Sequence, residues 1–202
     1  MDPQRERLAE AVRRLIEITT TSDAPADELE RAAREVERLA ADLAPHPTHG
    51  PKLPDLPDLH DLQRTFWRDP VIGRSNPIAP PVDIEIRDRV VTGRANLGLA
   101  HEGPPGYVHG AVIAGIFDQI LGLANLASGN VGMTGTLTVR YLRPTPLHMD
   151  LVFEGKTESV EGRKIFVLGT LRAGDATTAE AEGIFVNLLQ PTAAEYFEDR
   201  SS

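Results

Sequence analysis

Asp118 is the residue whose setting most needs a chemical reason. It lies inside the run from Gly110 to Ser128, where Val112, Ile113, Ile116, Phe117, Ile120, Leu121, Leu123 and Leu126 cover nearly the whole circumference of a helix. Such a helix is expected to be buried on most sides, and an ionised carboxylate there is costly unless it is paired or hydrogen-bonded. Two readings are open: the carboxylate is capped at an exposed helix edge, or it is kept for chemistry. The start of the same helix favours chemistry, because free amides near Gly110 and Ala111, with the positive end of the helix dipole, suit a developing oxyanion. Gly110 and Asp118 are about 12 Å apart along the axis at 1.5 Å per residue, too far to serve one small carbonyl. A second copy removes the difficulty. With two such helices antiparallel about a two-fold axis, the start of one faces Asp118 of the other, which predicts a homodimer with two composite sites, or a dimer of dimers.

Other chemistries find little support. The chain lacks a Gly-x-Ser-x-Gly elbow, a phosphate-cradling loop ending in Lys-Ser/Thr and a His-Glu-x-x-His pair. His46 and His49 have a spacing that could ligate a metal, but the sequence assures no acidic or third histidine ligand, so no metal site and no bound cofactor are expected. The absence of cysteine removes thiolate sites and disulfides together and suits a reducing cytoplasm. With 30 acidic against 21 basic residues the formal charge is −9, which argues against broad binding to nucleic acid or anionic lipid. The first residues lack the apolar run of a secretion signal, and the longest apolar stretch, Ala111 to Ala127, is interrupted by Asp118, Gln119 and Asn125. No integral membrane segment is expected.

The elements that must position Asp118 are legible as periodicities. Leu8, Val12, Leu15 and Ile16 predict a helix from Asp2 to about Thr19, with Pro3 in its first turn. Leu29, Val36 and Leu43 predict a second from Asp27 to Leu43, the two forming a helical hairpin over residues 1–44. Residues 45–81 hold nine of the sixteen prolines and read as an extended linker, apolar enough around Phe66, Trp67, Val71 and Ile72 to lie on a hydrophobic surface. Trp67 is either a lid or glue. From residue 82 to 190 strand patterns surround the apolar helix: a bent hairpin over Val82–Ala100, then Met133–Leu142, Leu147–Val160, Arg163–Arg172 and Ala176–Leu189, joined as an antiparallel meander. This is an α+β class in which a curved sheet wraps one long helix. Residues 191–202 read as a frayed tail.

His109-Gly110-Ala111, Asp118 nine positions after the histidine, the strand Met133-Thr-Gly-Thr-Leu-Thr-Val-Arg-Tyr-Leu-Arg-Pro-Thr-Pro146 and the turn Val160-Glu-Gly-Arg-Lys164 occur in that order. Over residues 82–189 this resembles the hotdog-fold acyl-CoA thioesterases of the PaaI-like and thioesterase-superfamily-member type. The resemblance implies hydrolysis of an acyl-CoA to a carboxylic acid and CoA. Asp118 would act as general base or nucleophile, Thr134 would hold the attacking water, Gly110 would donate the oxyanion amide and His109 would position that turn. Ala111 stands where many relatives carry a second glycine and narrows the approach of substrate. Coenzyme A enters only as part of the substrate, with Arg143, Arg163 and Lys164 as candidates for its phosphates. Gly115 and Gly122 each cost about 1 kcal/mol relative to alanine, which predicts close packing at those points or room for an acyl chain. An enoyl-CoA hydratase on the same fold and a non-catalytic acyl-CoA sensor are the alternatives.

Overall fold

A computed structural model describes residues 2–47 and 59–187. Both predicted N-terminal helices form, as α1 (Pro3–Thr21) and α2 (Ala26–Leu43). The Asp2 carboxylate caps α1 by accepting from the Gln4 amide at 3.0 Å, with Pro3 in the first turn. One face of α1 docks onto the body. Ala9 is buried there, the Arg13 guanidinium donates to the carbonyls of Ala79, Arg74 and Asn76 at 3.1, 2.5 and 3.3 Å, and the Glu17 carboxylate accepts from the amides of Leu99 and Ala100 at 2.9 Å each. The expected hairpin is not sealed, however: every residue of α2 is exposed. Its leucine stripe meets too little of its own α1 to be covered.

The described part of the proline-rich segment carries a short helix, α3 (Leu62–Thr65), and lies on the core as expected, through Leu59, Leu62, Phe66, Val71 and the buried Ile72. Asp69 shapes its turn by accepting from the amides of Val71 and Ile72 at 2.8 and 2.9 Å. Trp67 serves as glue between α1 and this segment, with the guanidinium carbons of Arg5 and Arg68 lying 5.0 and 5.3 Å from its ring centre. His49, much of the proline-rich run and the tail from 188 fall outside the described residues.

The body is one antiparallel sheet of β1 (Val82–Arg87), β2 (Val90–Asn96), β3 (Gly132–Tyr141), β4 (Asp150–Glu161), β5 (Lys164–Ala173) and β6 (Ala176–Asn187), in the order β1-β2-β4-β5-β6-β3. Asp88 and Arg89, both at positive φ, close the two-residue turn between β1 and β2. The meander holds for β4, β5 and β6. It fails for β3, which pairs with β6 at the sheet's edge and not with its sequence neighbour β4. The connection 142–149 carries two prolines and a positive-φ His148, and it is tied elsewhere: the Leu142 and Arg143 amides donate to Thr178, and the His148 amide to Leu97. A chain so anchored crosses over instead of turning back.

The apolar helix, α4 (Gly110–Ala127), fills the concave side. Ile113, Ile116, Phe117, Ile120, Leu121, Leu123 and Ala124 are at most 2% exposed, and Phe117 meets Phe153 edge to face at 5.3 Å. Each large side chain sealed this way contributes about 1.5–3 kcal/mol. The helix approaches closely because Gly155 and Gly169, paired across β4 and β5, lie beneath it; a Cβ there would sit 2.7 Å from Ile120 and 2.9 Å from Leu121. By length and composition α4 is apolar enough to cross a membrane, but its inner face is the core of this sheet.

Candidate active site

The expected burial of Asp118 is not found. In the single chain the carboxylate is exposed, because the sheet covers one side of α4 and leaves open a face bearing Ala111 and Asp118. The chain therefore has no desolvation cost to meet at this position. What the structure does bring together is Asp118 and Thr134: the Thr134 hydroxyl donates to Asp118 Oδ1 at 2.9 Å. Thr134 lies on β3 beside the irregularity at Gly135, where the pairing with β6 shifts register. One oxygen of the carboxylate is thus fixed, on a residue that is exposed.

The start of α4 is built by the loop before it. His109 is the N-cap: its backbone amide donates to the His101 carbonyl at 2.9 Å, and its Nδ1 accepts from the Ala111 amide at 3.0 Å. An accepting Nδ1 carries no proton of its own. This corrects the expectation of two free amides. The Ala111 N–H is already engaged, so the Gly110 N–H, which makes no hydrogen bond among the described residues, is the one available donor of the pair. A residue the sequence reading missed completes the turn. The Tyr141 hydroxyl, from the end of β3, donates to the Gly110 carbonyl at 2.8 Å, and a Cβ at Gly110 would sit 3.2 Å from that oxygen. The only signal for it was a polar-tipped aromatic inside the family-like strand.

The remaining candidates fall at two ends. Arg143 follows β3 beside the helix start, tied through its amide to Thr178. Arg163 lies in the β4–β5 turn and Lys164 opens β5, where it pairs with Val186, itself the partner of Met133 next to Thr134. Within one chain the two groups do not converge. Nor do Gly115 and Gly122 mark close packing inside the chain: a Cβ at Gly115 would meet nothing within 4 Å, and one at Gly122 only Phe185, at 3.8 Å. Two cavities, of about 540 and 510 Å³, lie along α1 and not at Asp118. Among the described residues no group of three His, Asp or Glu side chains could hold a metal ion.

Comparison with known proteins places this geometry. The thioesterase superfamily model matches residues 105–180, which contain α4, Asp118 and Thr134. Acyl-coenzyme A thioesterase THEM4 of Mus musculus is 39% identical over 93 residues, 45% of this chain and 40% of that protein, so the match spans well under two thirds of the curated relative. A Streptococcus mutans protein solved with acetyl CoA bound shares the fold at 20% identity and a TM-score of 0.50, over 53% of this chain and 88% of its own. A thioesterase superfamily protein of known crystal structure is 38% identical and superposes with a TM-score of 0.81, over 91% of this chain and 90% of its own. With one antiparallel sheet around a single long helix, the hotdog architecture, and with that likeness running almost end to end, the chain belongs to the thioesterase superfamily.

Proposed function

We propose that the protein hydrolyses the thioester of an acyl-CoA to a carboxylic acid and free CoA, as a two-fold dimer with two composite sites. The observation that carries this reading is the Thr134–Asp118 hydrogen bond on the one open face of an otherwise sealed helix. Thr134 holds Oδ1, which leaves Oδ2 to take a proton from a water whose oxygen attacks the thioester carbonyl. The same oxygen could instead attack directly, giving an anhydride that water then opens. In either course the C–S bond breaks and CoA leaves as a thiolate that takes up a proton.

The negative charge that develops on the carbonyl oxygen needs a donor that Asp118 cannot supply. The Gly110 amide of a second copy fits, its carbonyl held by Tyr141 and the following amide occupied by His109, so the turn is rigid before substrate arrives. The dimer reading is supported by β3, an edge strand whose outer side is unpaired and which exposes Met133 and Tyr141. Pairing β3 with its own copy sets the two α4 helices antiparallel. Arg143 of one chain then approaches the end of the other that carries Arg163 and Lys164, which gathers local positive charge for the CoA phosphates on an acidic protein. Gly115 and Gly122 leave room for the acyl group.

The test is thiol release from a panel of acyl-CoAs, with no protein cysteine to add background. Turnover by the unmodified protein that vanishes in Asp118→Asn supports the reading. Full turnover by that variant, or by a protein that sedimentation shows to be monomeric, would overturn it.

A further inference from the structure

α1 and α2 carry two halves of an apolar seam that the single chain does not close. On α1, Leu8, Ala11, Leu15 and Ile18 form an exposed stripe on the side opposite the docked Ala9, Arg13 and Glu17. On α2, Leu29, Val36 and Leu43 recur seven apart, with Leu39 beside them, and all four are 42–53% exposed. The apolar stripe of α1, Leu8 to Ile18, is about 15 Å long at 1.5 Å per residue, and that of α2, Leu29 to Leu43, about 21 Å. The shorter seam fits within the longer.

Their borders are complementary. Arg7 and Arg14 immediately precede Leu8 and Leu15, whereas Glu28, Glu30, Glu35 and Glu37 bracket Leu29 and Val36, Glu30 and Glu35 also pairing with Arg34 and Arg38 on the far side of their own helix. Pairing two α2 helices would set acidic rows against each other; pairing α2 with α1 sets acid against arginine. The connector between them is short and extended, with ψ of 131° at Ser22 and 151° at Pro25, and it leaves α2 uncovered by its own α1. A solitary helix of this length is marginal in water, so its stability must come from a partner. One turn before its end α1 is tied through Glu17 to the Leu99–Ala100 amides, and the adjacent His101 carbonyl holds the amide of His109 at the start of α4. α2 therefore departs from the end of the body where the second copy is placed in the composite-site reading.

We propose that α2 of one copy lies along the outer stripe of α1 of a second copy, each chain giving its helix to the other. The occupant of each seam is thus another molecule of this protein, held by leucine packing bordered by arginine–glutamate pairs.

The absence of native cysteine allows a direct test. Ala11 lies between Leu8 and Leu15 inside the α1 stripe and Val36 midway between Leu29 and Leu43, so they lie close in either helix orientation. Chains carrying Ala11→Cys and Val36→Cys are co-expressed and oxidised with diamide. The expected product is a mixed covalent dimer, at least tenfold more abundant than the self-linked dimer of either variant or the product with Arg34→Cys, which faces away from the stripe. The double variant should form a dimer joined by two disulfides. An internally closed monomer from the double variant, preferential Val36→Cys self-linkage, or a mixed product no more abundant than the Arg34→Cys control would each overturn the exchange. A helix pair closed within one chain remains compatible with hydrolysis at Asp118, so the thiol-release assay separates the two proposals.

Discussion

The two faces of α4 are built to different rules. The inner face carries seven apolar side chains at most 2% exposed, set over glycines that bring sheet and helix together. The outer face carries Ala111, Gly115, Asp118 and Gly122, small or charged, with Ala111 and Asp118 exposed and the two glycines half-buried. The inner face could tolerate no charge, and the outer face contributes almost nothing to the fold of one chain. Stability and proposed chemistry thus share a helix without sharing side chains. Neighbouring residues should therefore fail in opposite ways.

The sharpest way to break that comparison is to exchange Phe117 and Asp118 separately. Asp118→Asn should lower kcat by about 10²–10⁴-fold, the usual weight of a positioned base, and leave urea unfolding within about 0.5 kcal/mol of the parent, as for an exposed site. Phe117→Ala should do the reverse, losing about 3–5 kcal/mol of stability with much of kcat retained in the molecules that stay folded. Equal damage to stability from both variants would show that the faces are not independent.

Tyr141→Phe tests whether the helix start is held from β3. It removes one hydrogen bond to the Gly110 carbonyl, and a loss of about 1 kcal/mol corresponds to roughly fivefold in kcat/KM. The loss should appear in kcat more than in KM, because the proposed Gly110 donor acts on the transition state. An unchanged kcat would remove Tyr141 from the site. Gly115→Ala separates room from packing. A methyl there meets nothing within 4 Å in the chain and raises helix propensity by about 1 kcal/mol. The expected result is a chain at least as stable with a raised KM for longer acyl groups; an unchanged KM across the panel would remove the acyl route along this face.

Legibility followed the same division. The inner face was readable because a run of large apolar residues at helical spacing has one physical outcome. Asp118 and Thr134 were readable as candidates because a carboxylate in an apolar run, followed by a strand threonine, is an uncommon pattern. Their sixteen-residue separation does not say that they touch; the placement of β3 against α4 does. Periodicity cannot tell which strand pairs with which, so β3 was assigned to the meander although its outgoing connection binds Thr178 and Leu97. Apolar content also cannot say what does the covering. That is why Asp118 was expected to be buried in its own chain, and why α2, with a good leucine stripe, was expected to close on α1.

The smallest expected effect lies beneath the start of α4, at His101, and concerns the support of the open face. Burial lowers the His101 pKa below its ordinary value of 6.5, and the nearby Glu17 carboxylate opposes that shift more weakly. Its buried Nδ1 has no hydrogen-bond partner among the described residues, so a charged ring gains little there in return for lost solvation. A base with a depressed folded pKa binds fewer protons in the native state than in the unfolded chain. Its contribution to stability is therefore complete above about pH 7, and it is lost as pH falls through 6.5 towards the lower native value. Unfolding free energies at pH 7.5 and pH 5.5 should differ less in His101→Gln than in the parent, since the other histidines and the carboxylates contribute alike to both proteins. The change should be accompanied by weaker protection of the His109 amide in hydrogen exchange at the acid pH of the parent, because that amide donates to the His101 carbonyl. Identical pH slopes for the two proteins would show that the strap under the helix start carries no proton-linked stability.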